Sequence, residues 1–283
     1  MEDLIEVACC QLAPCVGRLE ENLPRVRAAI TEAVAGGAQL VVVPELATSG
    51  YVFRSVEEAR EAAIRANGPE LAAWAAEAAR GSAVVVGGFC ELGEDGRLYN
   101  SCALADAGGV RAVYRKVHLW EDETRWFDPG TERAPVVETH LGRIGLAICY
   151  DIEFPELTRG LALRGAELLA MPTNWPRGWA WDRDVPILVT LARSTAYLNR
   201  VYVAVCDRGG SERGLQFEGG SVIAGPDGRV LAGPPEPPGA GGATLQASCD
   251  LAQARDKGTG KRNDAFADRR PELYETGLVR APE

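Results

Sequence analysis

The chain has 283 residues, of which 46% are hydrophobic and 25% are charged, and its formal net charge is −10. This length and composition suffice for one large domain with a buried core, so we predict a single domain over residues 1–283, with a polar tail from about residue 257. The acidic balance disfavours nucleic acid and anionic lipid as partners, because phosphate contacts need clustered Lys and Arg.

The first third of the chain alternates strand-like and helical segments. We predict, in chain order, a strand at 5–11, a helix at 20–35, a strand at 40–43, a helical region at 55–80 interrupted near 68–69, and a strand at 83–90. The helix at 20–35 ends at a Gly-Gly pair, and the short strand at 40–43 is broken by a proline.

The remaining chain begins with a block rich in strands and returns to alternation. We predict strands at 97–105, 110–116, 136–139, 144–149, 168–171, 201–207 and 243–249, helices at 154–164 and 183–198, and a hairpin formed by 220–224 and the segment from 230. The Pro/Gly-rich segment 234–242 predicts an exposed loop. Alternating strands and helices indicate a layered α/β architecture.

The amino terminus and the cysteines limit the cell compartment and the metal chemistry. The opening MEDLIEVACCQL lacks the basic stretch and long apolar run of a secretion signal, and no run approaches the roughly 18 apolar residues of a membrane span. We therefore expect a cytoplasmic protein without a membrane partner. The eight cysteines form no CxxC pair, and only His118 and His140 could join them as metal ligands, so we expect no metal.

Three segments place a polar side chain at the end of an apolar run. Glu45 follows VVVP, Lys116 ends VYRK, and Cys149 closes IGLAIC shortly before a predicted helix. A carboxylate after a buried strand lies where α/β proteins tend to bind ligands, and a nearby helix N-terminus and cation favour a thiolate. Each segment alone also fits a structural role, as a surface carboxylate, an edge lysine or an inert buried cysteine.

A cysteine nucleophile needs a base and a group that stabilises the oxyanion. The usual base is histidine, but neither His118 nor His140 has a recognisable nucleophile setting. His118 lies two residues from Lys116, shares its face in a strand, and is therefore a candidate supporting group. A GxSxG elbow, a phosphate loop and a GxGxxG fingerprint are all absent from the sequence.

Read in order, PELATSGY, YRKVHLW and ICYDIEFPE resemble the Glu–Lys–Cys signature of the nitrilase superfamily. The later segments MPTNWP, LNRVYVAVCDRGG and GGSVIAGPDGRVL are also similar to the family pattern, so the resemblance covers residues 5–249. It implies a four-layer α-β-β-α sandwich, a homodimer formed through helices on one face, and catalysis without a cofactor or metal.

The resemblance also implies the roles of the catalytic residues. Glu45 matches the general base, Lys116 the oxyanion lysine and Cys149 the nucleophile, while Glu123 in ETRWFDPG matches a second glutamate that orients Lys116 and the substrate. The thiolate then attacks an amide carbonyl, Lys116 and the backbone N–H of Tyr150 donate to the oxyanion, ammonia leaves, and water hydrolyses the thioester.

The substrate class follows less directly. Tyr150-Asp151 stands where true nitrilases typically have Trp-Glu, and CYDIEFPE looks more like the amidase and ω-amidase branches. We therefore expect an amidase that converts small carboxylic acid amides to the acid and ammonia. The alternatives, in order, are an N-carbamoyl amino acid hydrolase, a nitrilase and a non-catalytic scaffold.

The expected substrate pocket is aromatic, which favours small apolar acyl groups. Its predicted lining residues are Tyr51, Tyr150, Asn174 and Trp175, with Trp120 as a further candidate. Trp179 and Trp181 are candidates both for a pocket wall and for the core. Arg177 is a candidate carboxylate clamp that no other sequence feature supports. The sequence therefore neither favours nor excludes amides of dicarboxylic acids as substrates.

Overall fold

The protein is represented by a computed structural model that describes residues 4–178, 186–236, 239 and 241–274. The strands are β1 (Leu4–Gln11), β2 (Leu40–Val42), β3 (Val84–Leu92), β4 (Leu98–Asp106), β5 (Gly109–Arg115), β6 (Val136–Thr139), β7 (Gly142–Leu146), β8 (Leu168–Pro172), β9 (Tyr202–Cys206), β10 (Ser211–Glu212), β11 (Leu215–Gln216), β12 (Val222–Ala224), β13 (Val230–Ala232) and β14 (Ala243–Asp250). The α-helices are α1 (Leu19–Ala35), α2 (Val56–Glu61), α3 (Pro69–Arg80), α4 (Glu123–Trp126), α5 (Pro155–Leu163), α6 (Ile187–Asn199) and α7 (Ala252–Arg255), and 3₁₀ turns occupy Cys149–Glu153 and Pro271–Leu273.

Two six-stranded sheets form the frame of the molecule. The first has the order β14-β1-β2-β3-β4-β5, and the second has the order β13-β12-β9-β8-β7-β6. The central strands of each sheet, β1-β2-β3 and β7-β8-β9, run parallel, while the outer strands pair antiparallel. The parallel strands thus bring their carboxyl ends to one edge of each sheet.

The two sheets pack face to face, with a helical layer outside each. β2 shows the arrangement, because Leu40 and Val42 join the core between the sheets while Val41 packs toward α1 and α3. Such alternation is the period of two that a strand buried on both faces shows. On the other side, α5 contacts β7 and α6 contacts β9 and β12. The predicted four-layer α-β-β-α sandwich is therefore confirmed.

The structure corrects several predicted boundaries. The helical region predicted at 55–80 is interrupted as predicted, since Ser55 caps α2 through the Glu58 N–H and Pro69 begins α3, but the break is wider because α2 ends at Glu61. The strand predicted at 144–149 ends at Leu146, and Cys149 instead begins a 3₁₀ turn. Residues 183–185 of the helix predicted at 183–198 lie outside the described residues.

Residues 257–274 lie over the second sheet's helical layer. Lys257 Nζ donates to the backbone carbonyls of Asn199 and Arg200 at the end of α6, which ties the start of the segment down. Between Gly258 and Tyr274 most residues are exposed. Among the helices that the structure describes, none is long and apolar enough to cross a membrane.

Candidate active site

The segments that follow β2, β5 and β7 bring Glu45, Lys116 and Cys149 to one site. Lys116 Nζ lies 2.7 Å from Glu45 Oε1 and 2.8 Å from Glu123 Oε1, and all three side chains are buried. Glu123 begins α4, seven residues after Lys116. One ammonium group is therefore shared by two carboxylates.

Burial and neighbouring charges set the protonation of this cluster. Burial raises the pKa of Glu45 to about 7, with Lys116 lowering it and Glu123 raising it further. Burial alone would lower the pKa of Lys116, but the charges of Glu123 and Glu45 outweigh it and raise that pKa, so the ammonium stays charged. A carboxyl group that titrates near neutral pH suits a general base.

Asn100 on β4 holds Glu45 from a second direction. Its Nδ2 donates to Glu45 Oε1 at 2.6 Å, and its carbonyl accepts the Lys116 N–H at 2.8 Å. Glu45 Oε2 is buried and has no hydrogen-bond partner in the described part of the chain, which leaves that oxygen able to take a proton. The sequence analysis missed Asn100, because no motif marks it and 55 residues separate it from Glu45.

Cys149 sits at a strained turn between β7 and α5. Its φ is +45°, in the left-handed region that non-glycine residues seldom occupy. Its thiol lies 3.8 Å from the carbonyl oxygen of Asn174. Burial and the charge of Glu45 raise the pKa of the thiol, against a lowering by Lys116. The thiol therefore keeps its proton at rest, and attack by its sulfur needs a base.

The carboxylate of Asp151 contacts three residues in and near this turn. Its Oδ2 accepts the Ile148 N–H at 2.9 Å and the Tyr114 hydroxyl at 2.8 Å, and its Oδ1 lies 2.8 Å from His118 Nδ1. The His118 ring stacks on Phe154, with ring centroids 3.5 Å apart. The structure thus places His118 beside Asp151. Asp151 received no role from the sequence, although its position two residues after Cys149 is a signal.

The structure places Tyr51 against Glu123. Its hydroxyl donates to Glu123 Oε1 at 2.7 Å, and the Trp120 N–H donates to Glu123 Oε2 at 3.3 Å. Tyr51 does not line the cavity at Cys149 described next.

A cavity of about 430 Å³ opens at Cys149. Its described lining residues are Trp120, Cys149, Tyr150, Glu153, Asn174, Trp175, Pro176, Ile187 and Leu191. The side-chain amide of Asn174 is buried without a hydrogen-bond partner in the described part of the chain, so both its oxygen and its nitrogen can meet a ligand.

The predicted lining residues Tyr150, Asn174, Trp175 and Trp120 are all at this cavity. Trp179 and Trp181 lie outside the described residues. Arg177 is exposed and is not among the described lining residues, and its charge acts on Glu218. The described residues contain no group of three or more His, Cys, Asp or Glu that could hold a metal ion.

Comparison with known proteins gives consistent matches over most of the chain. The pattern of the family described as carbon-nitrogen hydrolase matches residues 6–257. A protein named nitrilase from Pyrococcus abyssi is 37% identical over 96% of this chain and 99% of its own length. A protein from a Pseudomonas species named (R)-stereoselective amidase is 35% identical, over 80% of each chain.

A solved structure extends this similarity to the three-dimensional fold. It is a mutant of the amidase from Nesterenkonia sp. AN1, with covalent addition of the acetamide moiety of fluoroacetamide at its active site cysteine. It matches this structure with a TM-score of 0.76 and 27% identity, over 95% of both chains. The chain is therefore a member of the carbon–nitrogen hydrolase family, the nitrilase superfamily, and a hydrolase that acts on C–N bonds.

Proposed function

We propose that the protein is an amidase that hydrolyses small carboxylic acid amides to the acid and ammonia through a thioester at Cys149. The observation that carries this proposal is the buried cluster of Glu45, Lys116 and Glu123, whose charges all act on the Cys149 thiol at the end of a largely apolar cavity. The cluster supplies a base and a fixed cation beside a nucleophile that holds its proton at rest.

In the acylation step, Glu45 takes the thiol proton while the Cys149 sulfur bonds to the amide carbon, and the carbonyl electron pair moves to oxygen. Lys116 and the Tyr150 backbone N–H donate to this oxyanion, and each such donor is worth roughly 3–4 kcal/mol in the transition state. Collapse of the tetrahedral intermediate breaks the C–N bond, and Glu45 returns the proton to the departing nitrogen, which leaves as ammonia. Glu123 positions the Lys116 ammonium throughout.

In the deacylation step, water attacks the thioester carbon while Glu45 accepts a proton from the water. The C–S bond then breaks, Glu45 reprotonates the sulfur, and the carboxylic acid departs. This use of one carboxyl group in both steps requires that it change protonation easily, which agrees with a pKa near 7.

The cavity supports amides of small apolar acids. Trp120, Trp175, Pro176, Ile187 and Leu191 give it an apolar wall, and the unpaired amide of Asn174 gives it a polar point of contact. The Pseudomonas relative and the Nesterenkonia enzyme are both named amidases, which supports amides as the substrate class. The Pyrococcus relative's name favours nitriles instead, while Tyr150-Asp151 disfavours them, so nitrile hydrolysis is the second candidate.

The homodimer implied by the family resemblance is also a proposal. Tyr197 and Leu198 of α6 are about half exposed, at 51% and 55%. Exposed apolar side chains on a helix suit an interface between copies. Light scattering during gel filtration is expected to give twice the chain mass of 30.2 kDa, and a mass of one chain would contradict the proposal.

The reaction is tested by ammonia release from aliphatic and aromatic amides, the matching nitriles and N-carbamoyl amino acids. We expect release from amides by the wild type and none by Cys149→Ala. Cys15→Ala is the matched control, because Cys15 lies outside the cavity and that variant should keep full activity. Release only from nitriles or only from carbamoyl compounds would contradict the amide substrate, and full activity in Cys149→Ala would contradict the nucleophile.

A further inference from the structure

The described lining of the cavity at Cys149 carries negative charge and no positive charge. Among its described lining residues, Glu153 is the only one with a side chain that is charged at neutral pH. It ends the 3₁₀ turn that begins at Cys149, so the same short segment supplies both the thiol and this carboxylate. The other described lining residues are aromatic, aliphatic or neutral polar.

Glu153 has no ion-pair or hydrogen-bond partner among the residues that the structure describes. Glu153 is exposed as a residue, and the partial burial of its carboxyl group raises its pKa. The charge of Arg177, the candidate carboxylate clamp, acts on Glu218. A carboxylate without a protein partner at the wall of a cavity can interact with a charged ligand.

The inner end of the cavity does not offset this negative charge. Lys116 contributes one positive charge there, but Glu45 and Glu123 surround it, so the cluster carries no net positive charge. A substrate group that reaches the Glu153 side of the cavity thus meets a negative field.

We infer that Glu153 selects the charge of the substrate, so that the cavity takes amides with a neutral or ammonium-bearing acyl chain and rejects those ending in a carboxylate. This inference rests on the proposed amidase function and narrows its substrate class. A carboxylate tail would lie near Glu153 without a described cation to pair with, whereas an ammonium tail would gain a partner. Because Glu153 is exposed on one side, water and salt screen the effect.

The first test compares three amides of similar length, namely 5-aminopentanamide, pentanamide and the monoamide of glutaric acid. At low salt we expect the wild type to favour the cationic over the anionic amide by about tenfold or more in kcat/KM. Glu153→Gln should bring this ratio close to one, and Glu153→Arg should reverse it. Glu156→Gln is the matched control, because Glu156 is an exposed acid on α5 that lines a different cavity.

The second test does not depend on amide turnover. Methanethiosulfonate reagents with a positive, a neutral or a negative tail label the Cys149 thiol, and peptide mass spectrometry reads the rate at that residue alone. We expect the wild type to react faster with the positive than with the negative reagent, and Glu153→Gln to lose that preference. Glu156→Gln should behave as the wild type.

The two tests separate the inference from the function on which it rests. Ratios that Glu153→Gln leaves unchanged in both tests would overturn the role of Glu153, even if amides are hydrolysed. A wild type that prefers the glutaric monoamide would overturn it as well. If no amide releases ammonia but the labelling preference disappears in Glu153→Gln, the amidase proposal fails while the charge selection by Glu153 stands.

Discussion

Lys116 and Glu45 depend on each other for their charges, because both side chains are fully buried and 2.7 Å apart. An isolated buried charge is costly, so the Glu45 carboxylate depends on the Lys116 ammonium, and that ammonium depends on Glu45 together with Glu123. Burial holds the pKa of Glu45 at about 7 despite the adjacent ammonium, since Glu123 competes for the same cation. At the scale of single residues, the activity therefore depends on one proton at Glu45.

The pH dependence of amide hydrolysis tests this protonation. Glu45 acts as a base only after it loses its proton, so we expect kcat/KM to rise with pH through about 7. Asn100→Ala removes a hydrogen bond that favours the charged carboxylate, so the midpoint should move to higher pH. Asn263→Ala, at an exposed site, is the control. A flat profile, or a midpoint that moves down in Asn100→Ala, would contradict this account.

The coupling between Lys116 and Glu45 is measurable as stability. Lys116→Met leaves two carboxylates buried without a cation, and we expect it to lower the free energy of unfolding by about 3–5 kcal/mol at neutral pH. Adding Glu45→Gln removes one of these charges and should restore part of that loss, without restoring activity. Urea unfolding of the wild type, both single variants and the double variant gives the coupling energy. Simple additivity of the two losses would show that the pair is not coupled.

At the scale of elements, the 3₁₀ turn Cys149–Glu153 holds the nucleophile in its strained conformation. Asp151 accepts from Ile148, just before the turn, and from Tyr114 and His118, so one buried carboxylate joins the turn to β5 and its following loop. These contacts predict that Asp151 acts on catalysis through the position of Cys149.

A positioning role predicts a particular kinetic result. Asp151→Ala should lower kcat by about 100-fold with little change in KM, because a small displacement of the sulfur slows its attack more than it weakens binding. Tyr114→Phe, which removes one donor and keeps the ring, should show a smaller loss. Measuring kcat and KM separately for a good amide tests this. A rise in KM with an unchanged kcat would contradict the positioning role.

The strand β3 positions Glu45 through a glycine. A Cβ at Gly88 would lie 2.5 Å from the Glu45 Cα and 2.6 Å from the Leu46 nitrogen, so Gly88→Ala must push the backbone that carries Glu45. We expect it to lose about 1–3 kcal/mol of unfolding free energy and most of its kcat. Gly160→Ala on α5 is the control, since nothing lies within 4 Å of its Cβ.

In Gly160→Ala, stability should rise by about 0.5–1 kcal/mol, because alanine has the higher helix propensity, and activity should not change. Thermal unfolding and ammonia release measure both quantities. Wild-type activity in Gly88→Ala would show that β3 does not fix the position of Glu45.

At the scale of the whole molecule, the alternation of strands and helices indicated a layered α/β architecture, whereas the four-layer sandwich was implied by the family resemblance. Glu45, Lys116 and Cys149 were candidates because each ends an apolar run, and the family resemblance implied that they form one site. Asn100 was not accessible, since only tertiary packing brings it to Glu45. The turn at Cys149 was mistaken for strand because the apolar run continues to Ile148, and the contacts of Asp151 with Tyr114 and His118 at this turn arise only in the folded chain.

The central claim is that every substrate passes through one acyl-enzyme at Cys149. The most direct measurement adds hydroxylamine during hydrolysis of an amide and an ester of the same acid, and compares the amounts of hydroxamate and acid formed. After the enzyme-free reaction of each substrate is subtracted, a shared thioester predicts the same hydroxamate-to-acid ratio from both substrates, and no product above this background with Cys149→Ala. A corrected ratio that changes with the leaving group, or hydroxamate formation by Cys149→Ala above the background, would contradict the account.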